Sequence, residues 1–367
     1  MSNNTARLQS LDALRGFDMF WIMGAEEIFH ALYKATNSKF LGVISEELTH
    51  PAWNGFHFYD LIFPLFLFMA GVATPYSVGR ALEKGESKNK LLWRVVKRGL
   101  ILVVLGVIYN NGLTIQPLSE TRLPSVLGRI GLAYMFANII YLYFKHRAQV
   151  IWFFALLLGY WALLAFGSAP GFQPGDLTME GNFASYLDRL IIPGKLYLGI
   201  HDPEGLISTI PAISTGLLGI ITGDFLKNGN QEPIKKVYWM IGLGILLVIL
   251  AHVWDLALPI NKNLWTSSFV FNTGGYSLFL LGIFYYIIDI KGYKAWSFFF
   301  RIIGMNSILI YISSVFIDWE FSTKAFFGWV GQLAGDPLQI VILPIAYVFL
   351  KWLFLLFMYR KNVFLRV

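Results

Sequence analysis

Long apolar runs separated by short polar connections make up most of this chain. The runs reach about twenty residues and lack the strict alternation of polar and apolar positions that a half-buried strand shows. About twenty apolar residues in a helix are enough to cross a bilayer. The pattern therefore predicts an all-α, polytopic helical membrane protein, and it argues against a transmembrane β-barrel.

These runs predict ten spans. The predicted spans are residues 14–33, 57–79, 95–113, 124–144, 149–167, 206–226, 237–256, 265–288, 298–317 and 338–359. The stretch 321–333 is too short to cross and predicts an interfacial or re-entrant segment. Because we find no internal repeat and no separating linker, residues 1–367 are predicted to form a single integral membrane domain.

The basic residues predict the orientation of these spans. Of the 29 Lys and Arg residues, 20 fall on one side of the predicted membrane, seven on the other, and Arg129 and Lys351 within spans. The excess of positive charge marks the cytoplasmic side, so both termini are predicted to be cytoplasmic and the long loop 168–205 extracytoplasmic. The net charge of +7 is thereby explained without a nucleic-acid partner.

Composition narrows the chemistry further. Hydrophobic residues make up 56% of the chain and charged residues 14%, where about 25% charged is usual, which excludes a soluble globule and a disordered chain. The chain has no cysteine, which excludes disulfides, thiolate metal sites and a cysteine nucleophile. It also lacks a Walker loop, a GxSxG elbow and an HExxH motif, and no metal is implied.

The segment 50–71, HPAWNGFHFYDLIFPLFLFMAG, holds the strongest candidate residues. Pro51 disfavours helical geometry at His50, which predicts that the imidazole lies in a turn just outside span two. Asp60 falls inside that span, where a carboxylate is costly and so indicates function. The alternative is that Asp60 anchors an arginine or a backbone amide and that His50 sits at the headgroups. Trp53 and Asn54 of the same polar entrance are cofactor-binding candidates.

Span one carries two adjacent acids, Glu26 and Glu27. At least one of them is expected to face the bundle interior or water, unless both are solvated at the interface. Three arginines, Arg15, Arg98 and Arg129, are candidate phosphate partners because a guanidinium group matches phosphate oxygens bidentately. Snorkelling explains Arg98 well and Arg129 less well.

The sequence DPEG places Asp202 and Glu204 before span six. Asp202 has the features of an N-cap, followed by Pro203 as the first helical residue and Glu204 as an acid in the first turn. The functional alternative is that both carboxylates face an outward cavity and bind an amino or hydroxyl group.

Amide side chains mark two further positions. Asn261, Asn263 and Trp265 lie at the outer end of span eight, and Asn306 lies within span nine. A buried amide needs a partner, so these residues are candidates to bind substrate or to contact other helices.

Five blocks then resemble, in order and spacing, the heparan-α-glucosaminide N-acetyltransferase family. They are LDALRGFDMFWI, HPAWNGFHFYDLIFPLFLFMAGVA, DPEGLISTIPAISTGLLGIITG, PINKNLWTSSF and GMNSILIYI. The resemblance implies a transmembrane acyltransferase that takes an acetyl group from cytoplasmic acetyl-CoA and gives it to an amine or hydroxyl of a sugar or glycan on the other side. It implies His50 as the catalytic histidine, and it places Glu26 where the family has an active-site Asn.

The resemblance leaves several mechanistic choices open. With His50 as the base, either Glu26 or Asp60 orients the imidazole or holds the acceptor ammonium. Direct transfer and an acetyl-histidine intermediate both fit, and we favour direct transfer. The phosphates of CoA are expected near Arg15 and Arg98, and the loop 168–205 is expected to form the acceptor vestibule.

The expected compartment is a bacterial cytoplasmic membrane. The lysosomal member of the family has a lumenal domain and a span before this region, whereas the present chain begins almost at span one. The rival function is a proton-coupled secondary transporter of a small polar solute, which intramembrane carboxylates also suit. Exposed aromatic helices are compatible with a homodimer.

Overall fold

The all-α fold class is confirmed by the structure, a computed structural model that describes residues 8–114, 116–229 and 231–365. These residues form helices and connecting turns and contain no β-strand. Arg7 and Arg366, which contributed to the charge count, lie outside the described residues. The α-helices of the described residues are α1 (Gln9–Phe20), α2 (Glu26–Thr36), α3 (Lys39–Glu47), α4 (Ile62–Thr74), α5 (Arg80–Glu83), α6 (Lys88–Asn111), α7 (Val126–Tyr143), α8 (His146–Phe166), α9 (Phe183–Ile191), α10 (Thr209–Lys227), α11 (Pro233–Asp255), α12 (Ser267–Phe284), α13 (Ser297–Met305), α14 (Ser307–Phe316), α15 (Trp319–Ala334) and α16 (Leu338–Arg360).

Seven helical segments of the described chain are long and apolar enough to cross a membrane. They are Phe58–Glu83, Val126–Tyr143, His146–Phe166, Thr209–Lys227, Pro233–Asp255, Ser267–Ile290 and Leu338–Arg360. Helices α13 and α14 form an eighth candidate that bends by 63°. The bend falls at Asn306, whose side chain bonds the backbone of the C-terminal segment, at Val363 and Leu365.

The other two predicted spans are helical but more polar. Every 18-residue stretch of α6 contains Arg94, Lys97 and Arg98. The predicted first span consists of α1 and α2, which are joined by a π-helical turn, Trp21–Ala25, with a break at Gly24. The count of ten spans and the orientation therefore stay predictions, and so does the single domain.

The described chain divides into two compact units. The first contains residues 8–51, 57–62 and 280–365. In this unit α1 packs along α13, and α16 packs against α2 and α15. Glycines allow the closest approach, since a Cβ atom at Gly16 would meet the carbonyl of Phe300 and one at Gly304 would meet the carbonyl of Asp12.

The second unit contains residues 52–56 and 63–279. Here α7 packs against α6 and α10, and α8 packs against α10. Hydroxyl groups tie helices together: Ser214 donates to the carbonyl of Phe153 at 3.0 Å, and Ser267 donates to that of Leu157 at 2.8 Å. Such bonds satisfy polar groups where no water is available.

Candidate active site

The first unit brings His50 and Asp60 together. Nδ1 of His50 lies 2.6 Å from Oδ1 of Asp60. His50 follows α3 in a turn, as its position before Pro51 predicts, and Asp60 lies in a short 3₁₀ helix, Phe58–Leu61. The His50 side chain is 46% exposed, whereas that of Asp60 is fully buried. The pair thus combines an accessible imidazole with a buried carboxylate.

The turn that carries Asp60 fixes the direction of its carboxylate. Oδ2 accepts a hydrogen bond from the backbone amide of His57 at 3.1 Å, and the amide of Asp60 donates to the carbonyl of His57 at 2.9 Å. The carboxylate of Glu47 accepts from the amide of Phe58 at 2.9 Å and ties the turn to α3. An ionised Asp60 facing Nδ1 holds the proton of a neutral imidazole on that nitrogen, which makes Nε2 the basic nitrogen.

Tyr59 and Glu26 extend this pair within the same unit. The rings of His50 and Tyr59 are 5.0 Å apart between centroids. The Tyr59 side chain is hydrogen-bonded to Glu26, the first residue of α2. Oε2 of Glu26 is buried and has no hydrogen-bond partner within the described part of the chain. Glu27 is exposed, so Glu26 is the acid of this adjacent pair that faces the interior.

The second unit contains a buried ion cluster around Arg122. Its guanidinium donates to both carboxylate oxygens of Asp202, at 2.8 and 2.7 Å, and to Glu204 at 2.5 Å. Burial lowers the pKa of Arg122, but the hydrogen bond and charge of Asp202, followed by those of Glu204, raise it overall. The prediction that Asp202 caps a helix is wrong: α10 begins at Thr209, and Asp202 is committed to Arg122 instead. Six residues, 203–208, separate Asp202 from the first residue of α10.

The loop 168–205 holds two further buried titratable groups, Asp188 and His201. Burial raises the pKa of Asp188 to about 6, although the amide of Ile207 bonds its carboxylate and acts in the opposite direction. Burial lowers the pKa of His201 to about 4. His201 is therefore neutral near pH 7, with Nδ1 2.6 Å from the hydroxyl of Ser185.

Trp53 and Asn54 bond to distant segments of the second unit. The indole nitrogen of Trp53 donates to the carbonyl of Leu177 at 2.9 Å, and its ring packs edge-on against His201. Asn54 accepts from the side chain of Asn261 at 3.0 Å. Two candidates from separate sequence blocks, Asn54 and Asn261, are thereby brought together.

Arg129 and Trp265 meet in the core of the second unit. The guanidinium of Arg129 lies 4.9 Å from the centroid of the Trp265 ring and donates to Ser208 and to the carbonyl of Gly205. Arg129 is only 2% exposed. This burial agrees with the prediction that snorkelling does not explain its position well. Asn263, in the turn before Trp265, is half-buried.

The remaining candidates, Arg15, Arg98 and Asn306, each have a partner within their own unit. Arg15 lies 3.8 Å from Asp12 on the same helix, and Arg98 stands over the Tyr134 ring at 4.7 Å. Asn306 bonds the C-terminal backbone, as described above. Their assignment to acetyl-CoA or to an acceptor stays a prediction. Among the described residues, no group of three His, Cys, Asp or Glu side chains is placed to hold a metal ion.

Sequence reasoning missed Tyr59 and Lys351. Lys351 is buried in α16, where its ammonium group donates to the carbonyl of Met23 at 3.1 Å and interacts electrostatically with Glu26. A lysine in the middle of a predicted span was a signal, but only the packing of α16 against α2 reveals its partner.

Comparison with known proteins adds to this geometry. The catalytic-domain profile of heparan-α-glucosaminide N-acetyltransferase matches residues 7–187. The human protein of that name is 29% identical over 378 aligned residues, which cover 87% of this chain and 55% of the human protein. The chain is thus similar to the heparan-α-glucosaminide N-acetyltransferases. The mouse protein is also 29% identical, over 87% of this chain and 56% of its own length. The chain thus spans about half the length of these relatives.

The match to the heparan-α-glucosaminide N-acetyltransferase catalytic profile includes the whole His50 site. His50, Asp60 and Glu26 all lie within residues 7–187, and so do the three arginine candidates. Asp202, Glu204, Asn306 and the turn that contains Asn261 lie beyond the matched segment. The profile match thus includes the histidine site and not the acceptor candidates, whereas the alignments with the human and mouse proteins cover 87% of the chain.

Proposed function

We propose that this protein is a transmembrane acetyltransferase that moves an acetyl group from cytoplasmic acetyl-CoA to the amine or hydroxyl of a sugar on the extracytoplasmic side. One observation carries the proposal: the half-exposed His50 is hydrogen-bonded to the buried Asp60, within the segment that matches the catalytic profile. The names of the human and mouse relatives favour a glucosaminide amine as the acceptor.

In the proposed reaction His50 is the general base. An acceptor that is bound as an ammonium group first releases one proton to solvent. As the amine nitrogen or the hydroxyl oxygen then attacks the thioester carbonyl, Nε2 of His50 takes the acceptor proton, and Asp60 stabilises the resulting imidazolium. Collapse of the tetrahedral intermediate breaks the carbon–sulfur bond, and the imidazolium returns the proton to the CoA thiolate. The products are an acetylated acceptor and CoA, and the base is regenerated.

The structure favours separate roles for the two acids. Asp60 is already committed to Nδ1 of His50 and to the amide of His57, so it serves as the group that orients the imidazole. Glu26 has a carboxylate oxygen without a hydrogen-bond partner among the described residues, so it is proposed to hold the acceptor ammonium or hydroxyl. An unpaired buried oxygen gains more from a bound donor than a solvated one does.

For the donor we propose Arg98 as a phosphate contact. Its Nη1 donates weakly to the hydroxyl of Tyr134, at 3.4 Å, and its buried Nε has no hydrogen-bond partner in the described chain. A guanidinium group with such weak partners can donate to phosphate oxygens without breaking a strong hydrogen bond.

The test is CoA release by the purified protein in detergent. Acetyl-CoA is supplied with and without glucosamine and a panel of its glycosides, and free thiol is measured. We expect thiol release that depends on the acceptor. A protein that is folded but releases no CoA with any acceptor contradicts the proposal, and solute flux in proteoliposomes without CoA would favour the transporter.

A further inference from the structure

A cavity of about 590 Å³ lies at the predicted cytoplasmic end of α10. Its walls come from His146 at the start of α8, the second half of α10, the first half of α11 and Leu278 of α12, all within the second unit. The volume falls in the range of roughly 300–1,000 Å³ that is typical of small-molecule sites. None of the residues that line the cavity takes part in the proposed acetyl transfer.

Most of the cavity wall is apolar. It is formed by the side chains of Leu218, Ile221, Phe225, Met240, Leu243 and Leu278. The hydroxyl of Thr222, which also lines the cavity, donates to the carbonyl of Leu218 at 2.8 Å and so has its partner within α10. The ring of Trp239 packs edge-on against Phe225 and is 61% exposed, as is usual for tryptophan at a membrane surface. This wall suits an acyl chain.

The cavity lies between two helices that are largely open to lipid. At their predicted outer ends, α8 and α11 meet through the rings of Trp161 and Trp254, which lie 5.4 Å apart. At the predicted cytoplasmic end, His146 of α8 and Trp239 of α11 line the cavity instead. In both helices only 28% of the apolar stretch is buried within the protein, so lipid is expected to cover the rest. A lipid can therefore enter the cavity from the bilayer.

The polar end of the cavity holds a carboxylate that has only a weak hydrogen bond. Asp224 is half-buried, and in the described structure its side chain accepts from the hydroxyl of Tyr141 at the long distance of 3.4 Å. The lysines that are near it in sequence are committed elsewhere: Lys227 donates to Glu83 at 2.7 Å, and Lys236 donates to backbone carbonyls. Asp224 is thus free to accept a stronger hydrogen bond from a bound cation.

The charges at the cavity favour a headgroup with an ammonium group. Asp224 and His146 are the ionisable residues that line it, and Gln231 adds an amide. An anionic headgroup without an amine, such as phosphatidylglycerol, would set its phosphate against Asp224, and like charges repel. Phosphatidylethanolamine has an ammonium group that can donate to Asp224, and its phosphate can accept from His146 or Gln231.

We propose that this cavity is a phospholipid site that selects phosphatidylethanolamine: the ammonium group of the lipid pairs with Asp224, and an acyl chain fills the apolar wall between α10 and α11. Phosphatidylcholine has the same phosphate, but its quaternary ammonium group has no N–H to donate. The proposal does not depend on the acetyltransferase activity, because its test is lipid binding.

The experiment measures lipid binding to the purified, delipidated protein in detergent by native mass spectrometry. The probes are phosphatidylethanolamine, phosphatidylcholine and phosphatidylglycerol with identical acyl chains. We expect the wild type to bind phosphatidylethanolamine at least about fivefold more tightly than either of the others, the effect of one ion pair near a surface. Equal affinities for the three lipids would overturn the proposal, because the acyl chain alone would then determine binding.

Asp224→Asn tests the residue that is proposed to select the headgroup. Asparagine keeps the size of the side chain and an oxygen that can accept from Tyr141, but it removes the charge. We expect phosphatidylethanolamine to bind this variant within about twofold of phosphatidylcholine. Glu232→Gln is the matched control: Glu232 is an exposed acid at the start of α11 that does not line the cavity, so the preference should remain. Retention of the preference in Asp224→Asn overturns the proposal, and so does an equal loss in both variants.

Two further measurements keep the proposal falsifiable if Asp224→Asn does not fold. Stepwise N-methylation of phosphatidylethanolamine removes its N–H donors, so wild-type affinity should fall along the series, and a constant affinity would overturn the proposal. Ile221→Trp fills the cavity and should weaken binding of phosphatidylethanolamine at least about tenfold, whereas Ile245→Trp, at an exposed position of α11, should not. Equal binding to these two variants, or displacement of the lipid by acetyl-CoA, would also overturn it.

Discussion

At the scale of single residues, the geometry of Asp60 explains how a buried carboxylate is tolerated. Its oxygens accept from the His50 ring and from the amide of His57, and its own amide bonds back to the same turn. Hydrogen bonds to an ionised group offset much of its desolvation cost. The turn thus fixes the orientation of the Asp60 carboxylate in the absence of substrate. A group that orients a catalytic base must be held in this way.

Asp60→Asn tests this orienting role. Asparagine keeps the size of the side chain but presents neither the charge nor a second acceptor oxygen, so we expect kcat to fall by roughly 10²- to 10⁴-fold. Binding of acetyl-CoA, followed by calorimetry, should be unchanged. Asp336→Asn, at an exposed position between α15 and α16, is the control and should retain full turnover. Wild-type kcat in Asp60→Asn would refute the role.

At the scale of helices, glycines set the distances at which spans pack. In the second unit, α4 and α10 approach so closely that a Cβ atom at Gly219 would meet the carbonyl of Phe68, and one at Gly71 would meet the carbonyl of Gly216. Small residues at such crossings replace the hydrophobic driving force that is weak between helices in lipid. Gly242 of α11 is different, because a Cβ atom there would meet nothing within 4 Å in the described structure.

Two alanine substitutions distinguish these positions. Gly219→Ala should force α4 and α10 apart and lower the unfolding temperature in detergent, at a cost of about 1–3 kcal/mol for overpacking. Gly242→Ala should leave the unfolding temperature equal or slightly higher, since alanine is the better helix former by about 1 kcal/mol. Equal effects of the two variants would show that the crossing does not depend on Gly219.

At the scale of the whole molecule, the loop 168–205 carries two groups whose effects on stability oppose each other. Between about pH 4 and 6 the folded protein holds a proton on Asp188 that the unfolded chain has released, so the contribution of Asp188 to the free energy of unfolding falls as pH rises. His201 behaves in the opposite way: the unfolded chain binds a proton in this range that the folded protein does not, so its contribution rises with pH.

Single substitutions should separate the two contributions to the pH dependence of the free energy of unfolding. Each contribution is about 3 kcal/mol, from roughly two pKa units, so the two should nearly cancel each other between pH 4 and 6, and each variant is compared with the wild type. Relative to the wild type, Asp188→Asn should gain stability as pH rises through this range, and His201→Gln should lose stability. The measurement is intrinsic fluorescence during heating in detergent, and parallel curves for all three proteins would contradict the assignment.

Local signals predicted part of the site, and the packing supplied the rest. His50 was predicted to lie in a turn because Pro51 restricts the residue before it, and the structure agrees. Asp60 was predicted to lie within the span, with two alternative roles, and the structure shows both an imidazole and a backbone amide as its partners. The residues in these contacts lie within ten positions of each other, so the local backbone geometry determines whether they meet.

Contacts between residues far apart in the chain could not be predicted from the sequence. Lys351 and Met23 are separated by 328 positions, and their bond depends on the packing of α16 beside the break at Gly24. Likewise, Asp202 had good capping features, but the bond to Arg122, 80 residues away, outweighs a single helix cap. Hydropathy identified the helical segments and could not show where α13 bends at Asn306.

The central claim is that His50 is the base of an acetyl transfer, and the most direct measurement is acceptor-dependent CoA release by His50→Ala. His252→Ala, an exposed histidine of α11, is the control. Both variants are first shown to be folded and to bind acetyl-CoA. We predict that His50→Ala loses at least about 10²-fold in kcat while His252→Ala keeps the wild-type rate. Wild-type CoA release by a folded His50→Ala protein would contradict the account.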